Sequence, residues 1–453
     1  MLIDTVPQDR RSGLAVRHPR GERSYPACVS NIVVMKFGGT SVADAERIKR
    51  AARRIVERRE GGANVVAVLS ARGKTTDELI AMAQEVSAAP DPREMDMLLS
   101  TGERISCALC AMAIRDLGHR AISLTGSQAG IVTDAWHTRA RIIEVRADRV
   151  KEALEEDHIV LVAGFQGVST ATQDVTTLGR GGSDTTAVAV AAELQAEVCE
   201  IYTDVPGVFS ADPRVVPDAR MLDVVTFEEM LEMASTGAGV LQLRAVEYAR
   251  NHGVRIHCRS SFDDRPGTLV VSEGENMDRA ERPVITAVTH STSEAMITLV
   301  DVPHRPGMAA RIFGAIADAG VEVDMIEQHL PIEAEFAKIS FTIPRDRMRD
   351  ARAALQPLRG EVFAELVPNE DIGKVSIVGA GMRTYPGVAA KVFNVLAAEG
   401  LNLKMITTSP IRISSVIPRE RVDSVVRALH AAFELSGPDT IRVEETFERQ
   451  GAQ

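Results

Sequence analysis

Ile32-Val33-Val34-Met35-Lys36-Phe37-Gly38-Gly39-Thr40-Ser41 is the stretch from which the fold can be read. A short β-branched run, too brief for a helix, meets two glycines, and a helical pattern spans Asp44 to Arg59. The same alternation continues outward. Val65 to Ser70, His158 to Val162 and Val198 to Thr203 read as buried strands, while Glu94 to Leu117, Thr185 to Leu194 and Leu241 to His252 read as helices. Strands alternating with helices predict an α/β fold whose mostly parallel sheet lies between helices. In such sheets ligands gather beyond the carboxyl ends of the strands, so chemistry is expected in the strand-to-helix loops.

With 453 residues the chain has room for about three domains. Apolar residues make up 45% and charged residues 25%, the proportions of a folded globular protein, which excludes general disorder. The 52 Lys and Arg against 63 Asp and Glu give a net charge of −11, the wrong sign for gripping a phosphate backbone. With 12 Phe, 4 Tyr and 1 Trp there are few platforms for stacking bases, so no nucleic-acid partner is expected. The richest apolar stretch, Thr186 to Val198, is interrupted by Glu193, Gln195 and Glu197, and no membrane span is expected. Residues 1–30 carry Arg10, Arg11, Arg17, Arg20 and Arg23 without the apolar core of a signal peptide, and read as a disordered extension. Five scattered cysteines fit a reducing, cytoplasmic setting. Cys107 and Cys110 form C-x-x-C inside an apolar helical pattern, where core packing is the expected role.

The acidic, Gly- and Pro-containing stretch Ser272 to Pro283 ends the first domain, giving limits of 31–275 for it and 276–283 for a linker. Beyond lies an internal repeat. Pro306-Gly307-Met308-Ala309-Ala310-Arg311-Ile312-Phe313 returns 80 residues later as Pro386-Gly387-Val388-Ala389-Ala390-Lys391-Val392-Phe393, and Gly320, Met325 and Ile326 return as Gly400, Met405 and Ile406. Each copy reads as strand, Pro-Gly turn, helix, two strands and a second helix, a split βαβ unit of the ferredoxin-like α+β kind. Two copies are too few for a solenoid and predict a pair of modules, 284–366 and 367–445, with a tail at 446–453.

Three loops could carry chemistry. Gly38-Gly39 lets backbone N–H groups approach an anion, with Lys36 adding positive charge; a turn serving only tight packing is the alternative. Thr177-Leu178-Gly179-Arg180-Gly181-Gly182-Ser183-Asp184 spends three glycines around one arginine, costly for a mere connector, and Arg180 is suited to a carboxylate. Thr203-Asp204-Val205-Pro206-Gly207-Val208-Phe209-Ser210-Ala211-Asp212-Pro213-Arg214 follows the last strand, and its aspartates alone are equally consistent with turn formation. Glu103, within Thr101-Gly102-Glu103-Arg104 in the middle of a helical pattern, would by itself be read as a solvated charge.

Together M-K-F-G-G-T-S-V at 35–42, S-T-G-E-R at 100–104, V-A-G-F-Q-G at 162–167, T-L-G-R-G-G-S-D at 177–184 and T-D-V-P-G-V-F-S-A-D-P-R at 203–214 resemble the aspartate kinase family, in order and spacing. The resemblance runs from Ile32 to about Leu435, and the repeat resembles the family's two ACT regulatory domains. It implies an amino-acid kinase fold and transfer of the ATP γ-phosphoryl group to the β-carboxylate of L-aspartate, with Mg²⁺ carried on ATP and no resident metal site.

Residue by residue, the resemblance implies that Lys36, Phe37, Gly38 and Gly39 hold the transferring phosphates, with Lys36 and Asp184 catalytic. It places Ser70, Thr75 and Thr76 on the substrate side, gives Glu103 the aspartate ammonium and Arg180 its α-carboxylate, and puts Ser183 in the same pocket. Thr203, Asp204, Phe209, Ser210, Ala211, Asp212, Pro213 and Arg214 would bind the nucleotide. Gly307, Met308, Ala309, Gln328, Gly387, Val388, Ala389, Thr408 and Ser409 would face a threonine or lysine effector. The ACT pair implies a homo-oligomer, or association with a regulatory chain started internally near Met277. A non-catalytic amino-acid sensor is the rival reading.

The chain also departs from the family pattern. Gly239 stands where members commonly have lysine, Lys74 where they have an acidic or neutral residue, His329 in place of an asparagine, and Pro410 in place of the glutamate of T-S-E. Because Pro410 removes an ammonium acceptor and a backbone donor, weak inhibition by lysine is expected.

Overall fold

A computed structural model of the chain describes residues 31–275, 284–330 and 335–437. The extension 1–30, the linker 276–283 with Met277, and the tail 446–453 lie outside the described residues. Among the described residues, strands at Val224–Thr226, Thr268–Val271, Ile256–Ser260, Val198–Thr203, Ile32–Phe37, Asn64–Leu69, Ile159–Ala163 and Ala121–Leu124 form one sheet in that order. Every pairing is parallel except Ile256–Ser260 with Thr268–Val271, so the sheet matches the α/β expectation.

The run Ile32–Phe37 is buried along its whole length, and apolar clusters fill both faces of the sheet, as a parallel sheet covered by helices requires. The helix Gly182–Glu193 is buried from Gly182 through Ala191 and has no polar stripe, which identifies it as a core helix. Cys107 and Cys110 pack in the apolar cluster on one face, and the four described cysteines are free and buried. Burial raises the Cys110 thiol to about 12, so this C-x-x-C is core.

One helix expected over Glu94 to Leu117 is two, Pro92–Leu99 and Thr101–Asp116. The hydroxyls of Ser100 and Thr101 donate to the Met97 and Leu98 carbonyls, and Gln166 Nε2 donates to the Ser100 carbonyl at 2.8 Å. These side-chain bonds occupy backbone carbonyls at the break, while Ser100 N still donates to the Asp96 carbonyl at 3.0 Å. Residues 92–116 are long and apolar enough to cross a membrane by composition, yet half of that stretch is buried in this fold.

The repeat forms two antiparallel four-stranded sheets, each backed by helices. Gly307 and Gly387 both take φ of 94° at the N-caps of equivalent helices, Met308–Asp318 and Val388–Ala398, a conformation that suits glycine. Sheet membership departs from the expected limits 284–366 and 367–445. Ala287–Ser291 pairs with Ile372–Val378 in the second module, and Glu365–Asn369 pairs with Glu294–Pro303 in the first. The first module is thus inserted between strands of the second. A sequence repeat beginning near residue 306 carries no sign of a strand that precedes it and pairs elsewhere.

Candidate active site

Ile32–Phe37 lies between Asn64–Leu69 and Val198–Thr203, so the loops after all three strands meet at one edge of the sheet. Gly38 N donates to the Tyr202 carbonyl at 3.2 Å, and Gly73 N to the Gly39 carbonyl at 2.9 Å. A Cβ on Gly39 would sit 2.9 Å from the Ala71 carbonyl oxygen, so this glycine lets two loop backbones touch.

Lys36 points to the same end, nearly buried, with Nζ 2.6 Å from Asp184 Oδ1. Asp184 is in the first turn of Gly182–Glu193, entered through Gly181 in the left-handed conformation. Ser183 beside it is buried, and a Cβ on Gly164 would lie 2.7 Å from Ser183 Oγ, so the loop ends pack without spare space. The lysine and aspartate, 148 positions apart in the chain, are neighbours because their two elements are.

Glu103 departs most from what its local sequence suggests: it is 3% exposed. The helix break at Ser100 starts a new helix close to the loop after Asn64–Leu69, and Gly102 allows that approach, since a Cβ there would be 2.7 Å from Ala71 Cβ. Ala71 N donates to Glu103 Oε1 at 3.1 Å, while Oε2 is buried with no hydrogen-bond partner. Burial raises the carboxyl to about 7, against the opposing pull of backbone amides and the Arg104 charge. A half-satisfied buried carboxyl is a receptor for a cation or a donor.

Ser70, Thr75 and Thr76 lie on the loop and helix start following Asn64–Leu69, and Ser70 N donates to the Phe37 carbonyl at 3.1 Å. Lys74 caps that helix and is exposed. Arg180 is not packed against Glu103. Its side chain is 91% exposed and pairs with Asp77 at 3.2 Å, in the first turn of the helix that begins with Thr75 and Thr76. The expected substrate residues therefore fall into a buried acid and an exposed arginine spanning two walls of the site.

Next to this end is a cavity of about 390 Å³. Thr203, Asp204, Phe209, Ala211, Asp212, Pro213 and Arg214 line it, joined by Gly237 to Val240 and by Val288, Thr289 and His290. Phe37, Gly38 and Gly39 lie outside this lining, at the neighbouring strand end. Ser210 is outside it as well. It is fully buried and its Oγ is 2.9 Å from His430 Nε2, in the second module. Gly239 has nothing within 4 Å of a Cβ, so the position of the family's common lysine is open space. Val288, Thr289 and His290 were not legible as cavity residues, because their strand is placed by pairing with Ile372–Val378.

The expected effector residues divide too. Met308 and Val388 are buried in the cores of their modules, whereas Ala309, Gln328, Ala389 and Thr408 are exposed. Ser409 Oγ donates to Glu232 Oε1 of the first domain at 2.7 Å, and Arg412 pairs with the other oxygen of Glu232 at 2.9 Å.

The first domain, with a strand-end lysine paired to an acid in the first turn of a helix and a cavity beside them, matches the model of the amino acid kinase family over residues 31–260, and residues 296–357 and 375–433 match an ACT domain model. The chain is 56% identical over 410 residues to the aspartokinase of Mycolicibacterium smegmatis, spanning 90% of this chain and 97% of that one. It resembles the crystal structure of E. coli aspartokinase III in complex with aspartate and ADP in the R-state, at 27% identity and a TM-score of 0.75 over 88% of this chain and 99% of that one. The same enzyme with lysine and aspartate in the T-state gives 27% identity and a TM-score of 0.68, over 89% of this chain and 100% of that one. The chain belongs to the aspartokinases.

Proposed function

We infer that this chain transfers the γ-phosphoryl group of ATP to the β-carboxylate of L-aspartate, giving 4-phospho-L-aspartate, the first step towards lysine, threonine and methionine. The observation that carries this reading is the buried Lys36–Asp184 pair one strand away from the half-satisfied Glu103. One carboxylate oxygen of aspartate bonds to phosphorus as the bond to the β,γ-bridging oxygen breaks, and ADP leaves with that electron pair. The nucleophile is already ionised, so the protein's task is to align it and to offset negative charge.

Lys36 supplies that charge beside the Gly38-Gly39 turn, and Asp184 holds the ammonium in place. Glu103 receives the aspartate ammonium on its free Oε2, and Arg180 leaves Asp77 for the α-carboxylate as substrate enters. Ser183, Ser70, Thr75 and Thr76 complete that pocket. The nucleotide lies in the cavity along Thr203 to Arg214. Asp184 would be the acid at this end to hold a Mg²⁺ carried on ATP, and the ion would offset phosphate charge there.

Trapping the product with hydroxylamine as a hydroxamate, with ATP and aspartate present, tests the reading. Product with aspartate and none with glutamate supports it; no product under any condition would favour the sensor.

The regulatory part of the reading is an amino-acid effector, threonine or lysine, bound by the ACT pair in a cytoplasmic enzyme. Because Pro410 stands where the family has an ammonium acceptor, lysine inhibition should be about 10- to 100-fold weaker than at a site that keeps a charge-assisted bond. Half-maximal inhibition by lysine alone below about 0.1 mM, a binding free energy near −5.5 kcal/mol, contradicts it. The strand Ile326–His329 is an edge strand exposed at every residue, which supports association with another copy or with a regulatory chain begun near Met277. Light scattering and intact mass of the natively expressed gene products distinguish these arrangements.

A further inference from the structure

The segment that lines the cavity has a second face. Ala211, Val216 and Ala219 belong to the same apolar cluster as Val375, Ile377, Val425 and Leu429 of the second ACT module. The segment folds back on itself, with Ser210 N donating to the Arg220 carbonyl and Leu222 N to the Val208 carbonyl, both at 2.8 Å. Within this hairpin Ser210 is the buried side chain that meets a polar group of the ACT module, while the exposed Asp218 accepts from Ser436 Oγ at 2.6 Å. Its Oγ accepts from Arg220 N at 2.9 Å and offers its own proton to His430 Nε2 at 2.9 Å or to the Leu435 carbonyl at 3.3 Å. His430 is 1% exposed, on the helix Val422–Ala432. Burial holds its imidazole below the ordinary range, so it serves as a neutral hydrogen-bond partner.

We propose that His430 is a positioning residue for the nucleotide: through Ser210 it fixes the Phe209 to Arg214 segment from behind, so that the ACT module sets how well the cavity fits ATP. The inference rests on reading the cavity as the nucleotide site. Backbone bonding alone leaves the segment under-determined. Val288 N donates to the Ser210 carbonyl at 2.7 Å, but Ala211 to Arg214 have only bonds within the segment itself, Val215 N and Val216 N both donating to the Asp212 carbonyl at 2.9 Å. The Ser210 hydroxyl, satisfied from three directions, is the polar anchor next to them. His430 bonds to Ser210, which is outside the cavity lining, so its removal should change fit rather than chemistry.

The test compares His430→Ala, His430→Gln and Ser210→Ala in the full chain, with ADP affinity by calorimetry and KM for each substrate. Losing one net hydrogen bond is expected to raise the ADP Kd and the KM for ATP about three- to tenfold, with kcat and the KM for aspartate changed less than about twofold. His430→Gln, which keeps a donor and an acceptor, should recover most of the loss. Should His430→Ala fail to fold, Ser210→Ala reads the same link from the other side. Unchanged ADP affinity overturns the proposal, and so does a parallel loss in kcat and aspartate KM, the mark of general loosening. Gly239→Trp, which fills the open side of the cavity, separates the two levels. If it abolishes ADP binding while the His430 and Ser210 variants bind normally, the positioning role alone falls. If it binds ADP normally, the nucleotide reading falls and takes this inference with it.

Discussion

The charged end of the site and the cavity beside it are built differently. Lys36, Asp184, Glu103 and Arg180 all stand in the kinase domain, and the groups they pair with, one another, Ala71 and Asp77, belong to that domain as well. The cavity instead takes one wall from Val288, Thr289 and His290, on a strand that pairs into the second ACT sheet. Further bonds fasten this wall: Thr236 to Thr289 at 2.6 Å, and Glu229 Oε1 to Thr286 at 2.6 Å and to Ala380 N at 3.1 Å. The difference teaches where regulation can act. A shift of the ACT module would leave Lys36 and Glu103 in place but deform this wall of the cavity.

The largest effect that would sharpen this contrast is expected from Lys36→Ala, a fall in kcat of about 10²- to 10³-fold. Because removing Lys36 also leaves Asp184 buried and unpaired, stability should drop with it. Adding Asp184→Asn is expected to restore the melting temperature and not the turnover; recovery of both would place Lys36 in the packing rather than the chemistry. Arg180→Ala comes next, with kcat/KM for aspartate down about 10²-fold and ADP affinity unaffected. If ADP binding weakens equally, the two regions are not separate.

Glu103 gives a pH test of the same boundary. With its carboxyl near 7 in the free protein, the aspartate KM should rise about tenfold per unit below pH 7 and level off above, while the KM for ATP stays flat. Binding aspartate at pH 7 should release protons, which calorimetry in buffers of different ionisation enthalpy detects. The sign for stability follows from linkage. The folded state holds the Glu103 proton more tightly than the unfolded chain, so stability falls as pH rises from about 4.5 to about 7 and then stays level. Glu103→Gln should flatten that slope, worth on the order of 3 kcal/mol at most. An unchanged slope would show that the carboxyl is solvated.

Asp77→Asn is the smallest change. Freeing an exposed arginine from a surface partner should lower the aspartate KM by about twofold or less. A tenfold rise would instead make Asp77 a substrate contact.

The kinase sheet was legible because its strands are continuous apolar runs ending at glycine turns, and Lys36 and Asp184 are found from those turns. Glu103 was legible only through the S-T-G-E-R motif. Its burial depends on a helix break at Ser100 and on the close approach at Gly102, neither of which changes the apolar periodicity. Ser210 shows the opposite limit. A motif assigns the whole Phe209 to Arg214 segment to one ligand, but the chain bends and turns there, and Ser210 faces the ACT module. Strand Ala287–Ser291 left no local signal, because its partner lies more than 80 positions further on.

That long-range pairing also sets a sequence of events during synthesis. The strand Ala287–Ser291 is made early, yet its partner Ile372–Val378 follows the whole first module, and His430 comes near the end of the described chain. At about 5–20 residues per second the ribosome exposes that unpaired strand for several seconds, during which the first module can fold as a unit. The kinase domain would thus leave the ribosome with Lys36 placed and one wall of the cavity still missing. A nascent chain would not bind ATP well until the last helix docks, so activity reports completion of the chain.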